Sequence, residues 1–128
     1  MPAYEPEQCD LLLFKYLETG ELDAAVELYE SDARFVISPD KVVVGHAAIR
    51  EHLQEFIATY TPGELDSVTA VSSADGSIAF TRAKGRSTIV DADKIPVTTE
   101  FHTIEVVRRQ PDGTWRIIID DPSGADLG

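Results

Sequence analysis

The sequence predicts an α+β domain, with three N-terminal helices packed on one face of an antiparallel sheet. Three observations predict it. Apolar residues recur at helical spacing through most of residues 5–60. Residues 63–121 read instead as β-branched runs separated by turn clusters. The 128-residue length suits one domain, large enough to bury a core without metal or disulfide staples. The 43% hydrophobic content agrees with a globular chain rather than a disordered one. The core is expected over about residues 6–122, with a short tail at 123–128.

The first helix is expected over residues 6–19. Cys9, Leu12, Leu13, Tyr16 and Leu17 form one wide apolar face, Leu11 and Phe14 widen it, and Gly20 stops the helix. The second is expected over about 21–30. Leu22, Ala25, Val26 and Tyr29 are its stripe, and Glu21 and Asp23 sit at the positive end of its dipole. Residues 33–37 and 41–44 flank Ser38-Pro39-Asp40 and read as a hairpin. Gly45 opens the third helix, 46 to about 60, whose face is Ile49, Leu53, Phe56, Ile57 and Tyr60. Thr61-Pro62-Gly63 ends it. Four strands follow, at 65–73, 78–90, 95–109 and 114–120. Turns at 74–77, 91–94 and 110–113 join them; the last, Gln110-Pro111-Asp112-Gly113, has Pro early and Gly late.

Charge excludes several functions. Eleven Lys and Arg against 23 Asp and Glu give a net charge of −12. Such a surface repels phosphate backbones and anionic headgroups, so neither nucleic acid nor membrane is an expected partner. The lone Cys9 rules out an intramolecular disulfide and reads as a small core residue. The N-terminus lacks the basic start and apolar run of a signal peptide, and no apolar stretch nears the ~20 residues of a membrane span. A soluble, cytoplasmic protein is expected.

Motifs exclude more. There is no P-loop or dinucleotide fingerprint, so no cofactor is expected, and no G-x-S-x-G setting for a serine nucleophile. His46 and His52, six apart on one helix, do not share a face, so no metal is expected. Arg82, Lys84 and Arg86 alternate along a strand and read either as a solvated face or as the source of one cation that enters a pocket and binds an anionic group.

The last hairpin can be paired by register. If the turn sets Arg109 against Thr114, one face carries Val107:Arg116, Glu105:Ile118, Thr103:Asp120 and Phe101:Pro122. The other carries Arg108:Trp115, Val106:Ile117, Ile104:Ile119 and His102:Asp121. The His102–Asp121 pair is a secondary candidate for a base, and Arg108 on Trp115 reads as surface stacking. Either the apolar face meets the helices and leaves Glu105 and Asp120 in water, or the acids face inward. One β-bulge reverses the parity.

Three segments carry a family resemblance: Gly20-Glu21-Leu22-Asp23-Ala24 leading to Leu28-Tyr29-Glu30-Ser31-Asp32-Ala33; Val44-Gly45-His46-Ala47-Ala48-Ile49-Arg50; and residues 105–116 running into Ile119-Asp120-Asp121-Pro122. With them nearly the whole chain resembles the cone-shaped nuclear-transport-factor-2-like superfamily, which includes ketosteroid isomerases and SnoaL-like polyketide cyclases. The resemblance implies a strongly bent sheet closed by the helices around a conical apolar pocket, and a homodimer through the outer sheet face.

It also turns the acids inward. The oxyanion-hole acid of the isomerases falls at Glu105, and the cyclases' catalytic acid falls at Asp120. The implied site has Asp120 as base, Glu105 as proton-sharing partner, and Tyr16 and Thr103 orienting a substrate. Phe101, Ile118, Phe56 and Ile37 complete the lining. The chain departs from the isomerases at two places: their general base aligns near Ile37 or Ser38, and their oxyanion tyrosine aligns with Leu13. Steroid isomerisation is therefore not expected. Three functions remain open: cofactor-free acid/base chemistry on an apolar carbonyl compound, ligand binding without chemistry, and an association module.

Overall fold

The computed structural model describes residues 2–90 and 93–122. Pro6 starts the first helix, α1 (Pro6–Thr19), where its missing N–H costs nothing. Gln8 Oε1 accepts from the N–H groups of Tyr4 and Glu5, at 2.6 and 3.2 Å. Gly20 ends the helix with φ 76°, a conformation that disfavours any side chain.

The second helix, α2 (Leu22–Val26), is much shorter than the expected 21–30. Its intended last turn is taken by the first strand, β1 (Tyr29–Ser38). The Ile117 N–H donates to the Leu28 carbonyl at 2.7 Å, and Tyr29 pairs with Ile117. That non-local pairing overrides a modest helical preference. A tight turn at Pro39-Asp40 leads to β2 (Lys41–Val44), and α3 (His46–Thr59) follows.

The meander consists of β3 (Tyr60–Ser72), β4 (Ile78–Val90), β5 (Pro96–Arg109) and β6 (Trp115–Asp121). β3 begins before Pro62 rather than after Gly63, which is tolerable because β3 lies at a sheet edge and is bulged there. Residues 91 and 92 of the expected turn, the tail 123–128 and the side chain of Tyr60 lie outside the described residues.

The six strands run in the order β2-β1-β6-β5-β4-β3. Four neighbouring pairs are antiparallel, as expected, whereas β1 and β6 run parallel. The sheet is curved and unclosed, and the three helices cover its concave face: the α+β cone that the sequence predicts. Cys9, Leu13, Ile49 and Leu53 from the helices meet Phe35, Val107 and Ile117 from the sheet.

The last hairpin departs from the expected register. Arg109 faces Trp115 rather than Thr114, so the pairing starts one residue later. Trp115 consequently turns into the core and does not stack on Arg108 at the surface. A bulge then separates the pairs Val107–Ile117 and Val106–Ile119, leaving Ile118 as the extra residue. Beyond it, Glu105 lies directly opposite Asp120. Val107 and Ile117 face inward before the bulge, and Glu105 and Asp120 face inward after it.

Candidate functional site

A partly enclosed cavity of about 430 Å³ opens between the helices and the sheet. That volume suits a small organic ligand. Leu13, Phe14 and Leu17 of α1, Leu53 and Phe56 of α3, and Ile37 of β1 give it apolar walls. Phe14 and Phe101 meet with ring centroids 6.0 Å apart. Gly85, opposite Phe101, makes room for that ring. A Cβ there would come 2.6 Å from Phe101 Cζ and 2.5 Å from the Glu64 carbonyl oxygen, so only glycine fits.

The cavity's polar end is one rung of the sheet. Thr81 of β4 faces Glu105 of β5, Glu105 faces Asp120 of β6, and Asp120 faces Phe35 of β1. Glu105 is 4% exposed and Asp120 2%. The hydroxyls of Thr103 and Thr81 donate to Glu105 Oε2 at 3.2 and 3.4 Å. Tyr29 OH donates to Asp120 Oδ2 at 2.6 Å, and Asp120 Oδ1 has no hydrogen-bond partner. From the helical side Asp10 closes the cluster. It is 4% exposed, and neither of its oxygens has a hydrogen bond of normal geometry.

Three carboxyls in so small a dry space cannot all ionise at neutral pH. Burial, then Asp120 and Asp10, push Glu105 well above the usual carboxylate range; Thr103 and Thr81 only partly oppose this. Burial lifts Asp120 to about 7, against the pull of the Tyr29 hydrogen bond, with Asp10 and Asp121 adding to the rise. Burial likewise lifts Asp10 to about 6, opposed by Thr81 and Glu105 beside it. Near pH 7 Glu105 therefore keeps its proton, Asp120 is poised between forms, and Asp10 is mostly ionised. Burial also pushes the Cys9 thiol up to about 12, so it is inert as a nucleophile.

The structure brings Asp120, Glu105, Thr103, Phe101, Phe56 and Ile37 to the cavity. It does not bring three other candidates there. Tyr16 is buried on the flank of α1 shared with Cys9 and is not among the lining residues. Ile118 is the bulge residue and lines nothing. His102 faces Lys84 in the register, with Ile104 rather than His102 opposite Asp121, and it too lies off the cavity.

Sequence reasoning missed Asp10, Tyr29 and His52, all of which line the cavity. Asp10 had a readable signal. It precedes Leu13, Phe14 and Leu17 by three, four and seven residues, so it is an acid on the apolar stripe of its helix. Tyr29 had none, because it was assigned to a helix that ends before it. The His52 ring meets Phe35 in a tilted contact, centroids 4.8 Å apart, and burial lowers its pKa.

Comparison with known proteins matches residues 12–118 to the SnoaL-like domain. The chain belongs to the SnoaL-like domain family. No curated protein matches the sequence. An NTF2-like protein with a cystatin-like fold from Novosphingobium aromaticivorans is similar in structure, with TM-score 0.75 and 16% identity over 95% of this chain and 80% of the other. A ketosteroid isomerase-like protein from Erwinia carotovora atroseptica gives TM-score 0.74 and 14% identity over 89% and 88%. Aln2 from a Streptomyces species gives 0.74 and 16% over 94% and 88%. Identities this low establish the fold this SnoaL-like chain shares with them. Among its described residues no helix is long and apolar enough to cross a membrane, and no group of three or more His, Cys, Asp or Glu is arranged to hold a metal ion.

Proposed function

We propose that this SnoaL-like protein binds a small apolar carbonyl compound in the cavity and moves a proton on it, in the manner of an isomerase or cyclase and without a cofactor. One observation carries this: Glu105 and Asp120 are buried, directly opposed, and both pushed toward their protonated forms. Asp120, poised near 7, is the base. It removes a proton from the carbon beside the carbonyl. Glu105, still protonated, donates a hydrogen bond to the oxygen on which enolate charge develops. Thr103 and Thr81 orient Glu105. Leu13 stands where the isomerases carry a tyrosine, so Glu105 alone takes the donor's role. The ketosteroid isomerase-like neighbour supports the same class of chemistry.

Incubation in D2O with a panel of cyclic and aromatic ketones tests the proposal. Protein-dependent deuteration beside the carbonyl is expected, at a rate that rises with pH and levels off above about 7 as Asp120 ionises. Ketones that bind without exchanging would remove the enzyme and leave a ligand-binding protein.

The outer sheet face supports self-association. Val71, Phe80, Val106 and Ile119 form one continuous rung across β3, β4, β5 and β6, and Val71 and Ile119 are 60% and 40% exposed. A homodimer through this face is expected to sediment as twice the chain mass. Ile119→Lys, which places a charge at the β6 end of the rung, is expected to yield monomer. An unchanged sedimentation coefficient would remove this face as the interface.

A further inference from the structure

Proton transfer needs one acid and one base, yet the cavity holds three buried carboxyls. Glu105 and Asp120 fill both roles, and each accepts a hydroxyl. Asp10 is the surplus group, 4% exposed at the cavity wall, with only Thr81 and Glu105 beside it and no hydrogen bond of normal geometry to either oxygen. A buried carboxylate without a partner is costly, and an incoming cation removes that cost. No arginine or lysine lines the cavity. All eleven are among the described residues, ten of them exposed and Arg116 half-buried. The remaining acid at the wall is Glu100. The space therefore offers an anionic ligand no arginine or lysine and offers a cationic one a buried carboxylate.

We propose that the cavity takes an apolar molecule carrying a protonated amine, with Asp10 as its counter-ion. This rests on the cavity being the ligand site. The ammonium lies against Asp10, the apolar body lies between Phe14, Phe56 and Phe101, and the reacting carbon is left to Asp120. Asp10 is a specificity residue here rather than a proton-transfer group.

Three probes with one phenylethyl body separate the charge classes: 2-phenylethylamine, 2-phenylethanol and 3-phenylpropanoate, titrated calorimetrically into the full chain at pH 5 and pH 7. The amine stays protonated throughout, as its affinity for the proton resembles that of lysine. At pH 7 it is expected to bind at least ten times more tightly than the alcohol, with the propanoate weakest. At pH 5 this advantage is expected to shrink about tenfold, as Asp10 takes up a proton.

Other groups face Asp10 and titrate: Glu105 from β5, Asp120 and Tyr29 from β6 and β1, Glu7 and Cys9 from α1, and His52 across the cavity from α3. His52 is the one that gains positive charge in this pH range, and that also repels an amine. Asp10→Asn separates the two. It is expected to cut the amine-to-alcohol affinity ratio at pH 7 about tenfold and to flatten its pH dependence, whereas an effect of His52 would persist.

Equal affinity for amine and alcohol in the wild-type protein, or an unchanged ratio in the variant, overturns the assignment of Asp10 while the ketone reading stands. A cavity that binds none of the three probes and none of the ketones overturns both. The wild-type comparison decides even if the variant does not fold.

Discussion

Asp120→Asn is expected to make the protein more stable at pH 8 and less active. Asp120 binds its proton until about pH 7 in the folded chain, whereas an unfolded aspartate releases it near 3.8. The folded form is favoured below the lower value, where both states are neutral. That advantage is lost as pH rises through the window, because only the unfolded chain gives up its proton freely. Each pH unit of the window costs about 1.4 kcal/mol, so the wild-type chain loses up to roughly 4 kcal/mol from this group by pH 7. Asparagine has no proton to release, and its amide oxygen still accepts from Tyr29. Calorimetric scans at pH 8 are expected to place the variant about 2–4 kcal/mol above wild type, ~10 °C in melting temperature. At pH 4 the two should coincide. Exchange on any ketone substrate should fall by about 100-fold or more, the usual weight of a general base. A variant no more stable than wild type at pH 8 would mean that Asp120 is not held in a dry site.

Ile117→Ala is expected to be strongly destabilising. Ile117 is fully buried, pairs with Val107 on β5 and Tyr29 on β1, and immediately precedes the bulge. Removing its outer carbons leaves a cavity that rigid strands on both sides cannot close. Such truncations cost about 2–5 kcal/mol. A chain of this size then melts roughly 10 °C lower. Chemical denaturation at pH 6 measures it. Because the lost packing lies beside the rung that carries Asp120, ligand affinity should fall as well. A loss under 1 kcal/mol would show that the strand can collapse onto the gap.

The element order was largely legible because it rests on local patterns. Pro6 and Gly20 bound α1 in the sequence as in the structure, and Ile78 and Val90 bound β4. Errors fell where distant strands intervened. Residues 27–30 carry a helical stripe, yet Leu28 and Tyr29 are claimed by Ile117, some ninety positions away. Trp115 has the same history: an expected surface contact became core when the hairpin register moved by one.

The site divides the same way. Alternation along β5 put Phe101, Thr103 and Glu105 on one face, and the family resemblance turned that face inward toward Phe56. Asp10 was readable as a charge on an apolar stripe. Which way Asp120 points was not. Alternation places Ile117 and Asp120 on opposite faces of β6, and both face inward only because Ile118 is looped out between them. The class of fold, the faces of α1 and α3, the acidic surface and the residue types available for chemistry were legible along the chain, since each rests on composition or on periods of two and 3.6 residues. That Asp10, Glu105 and Asp120 meet in one buried space depends on how the strands and α1 pack. A bulge is a compromise among three strands, and no local pattern in β6 records it.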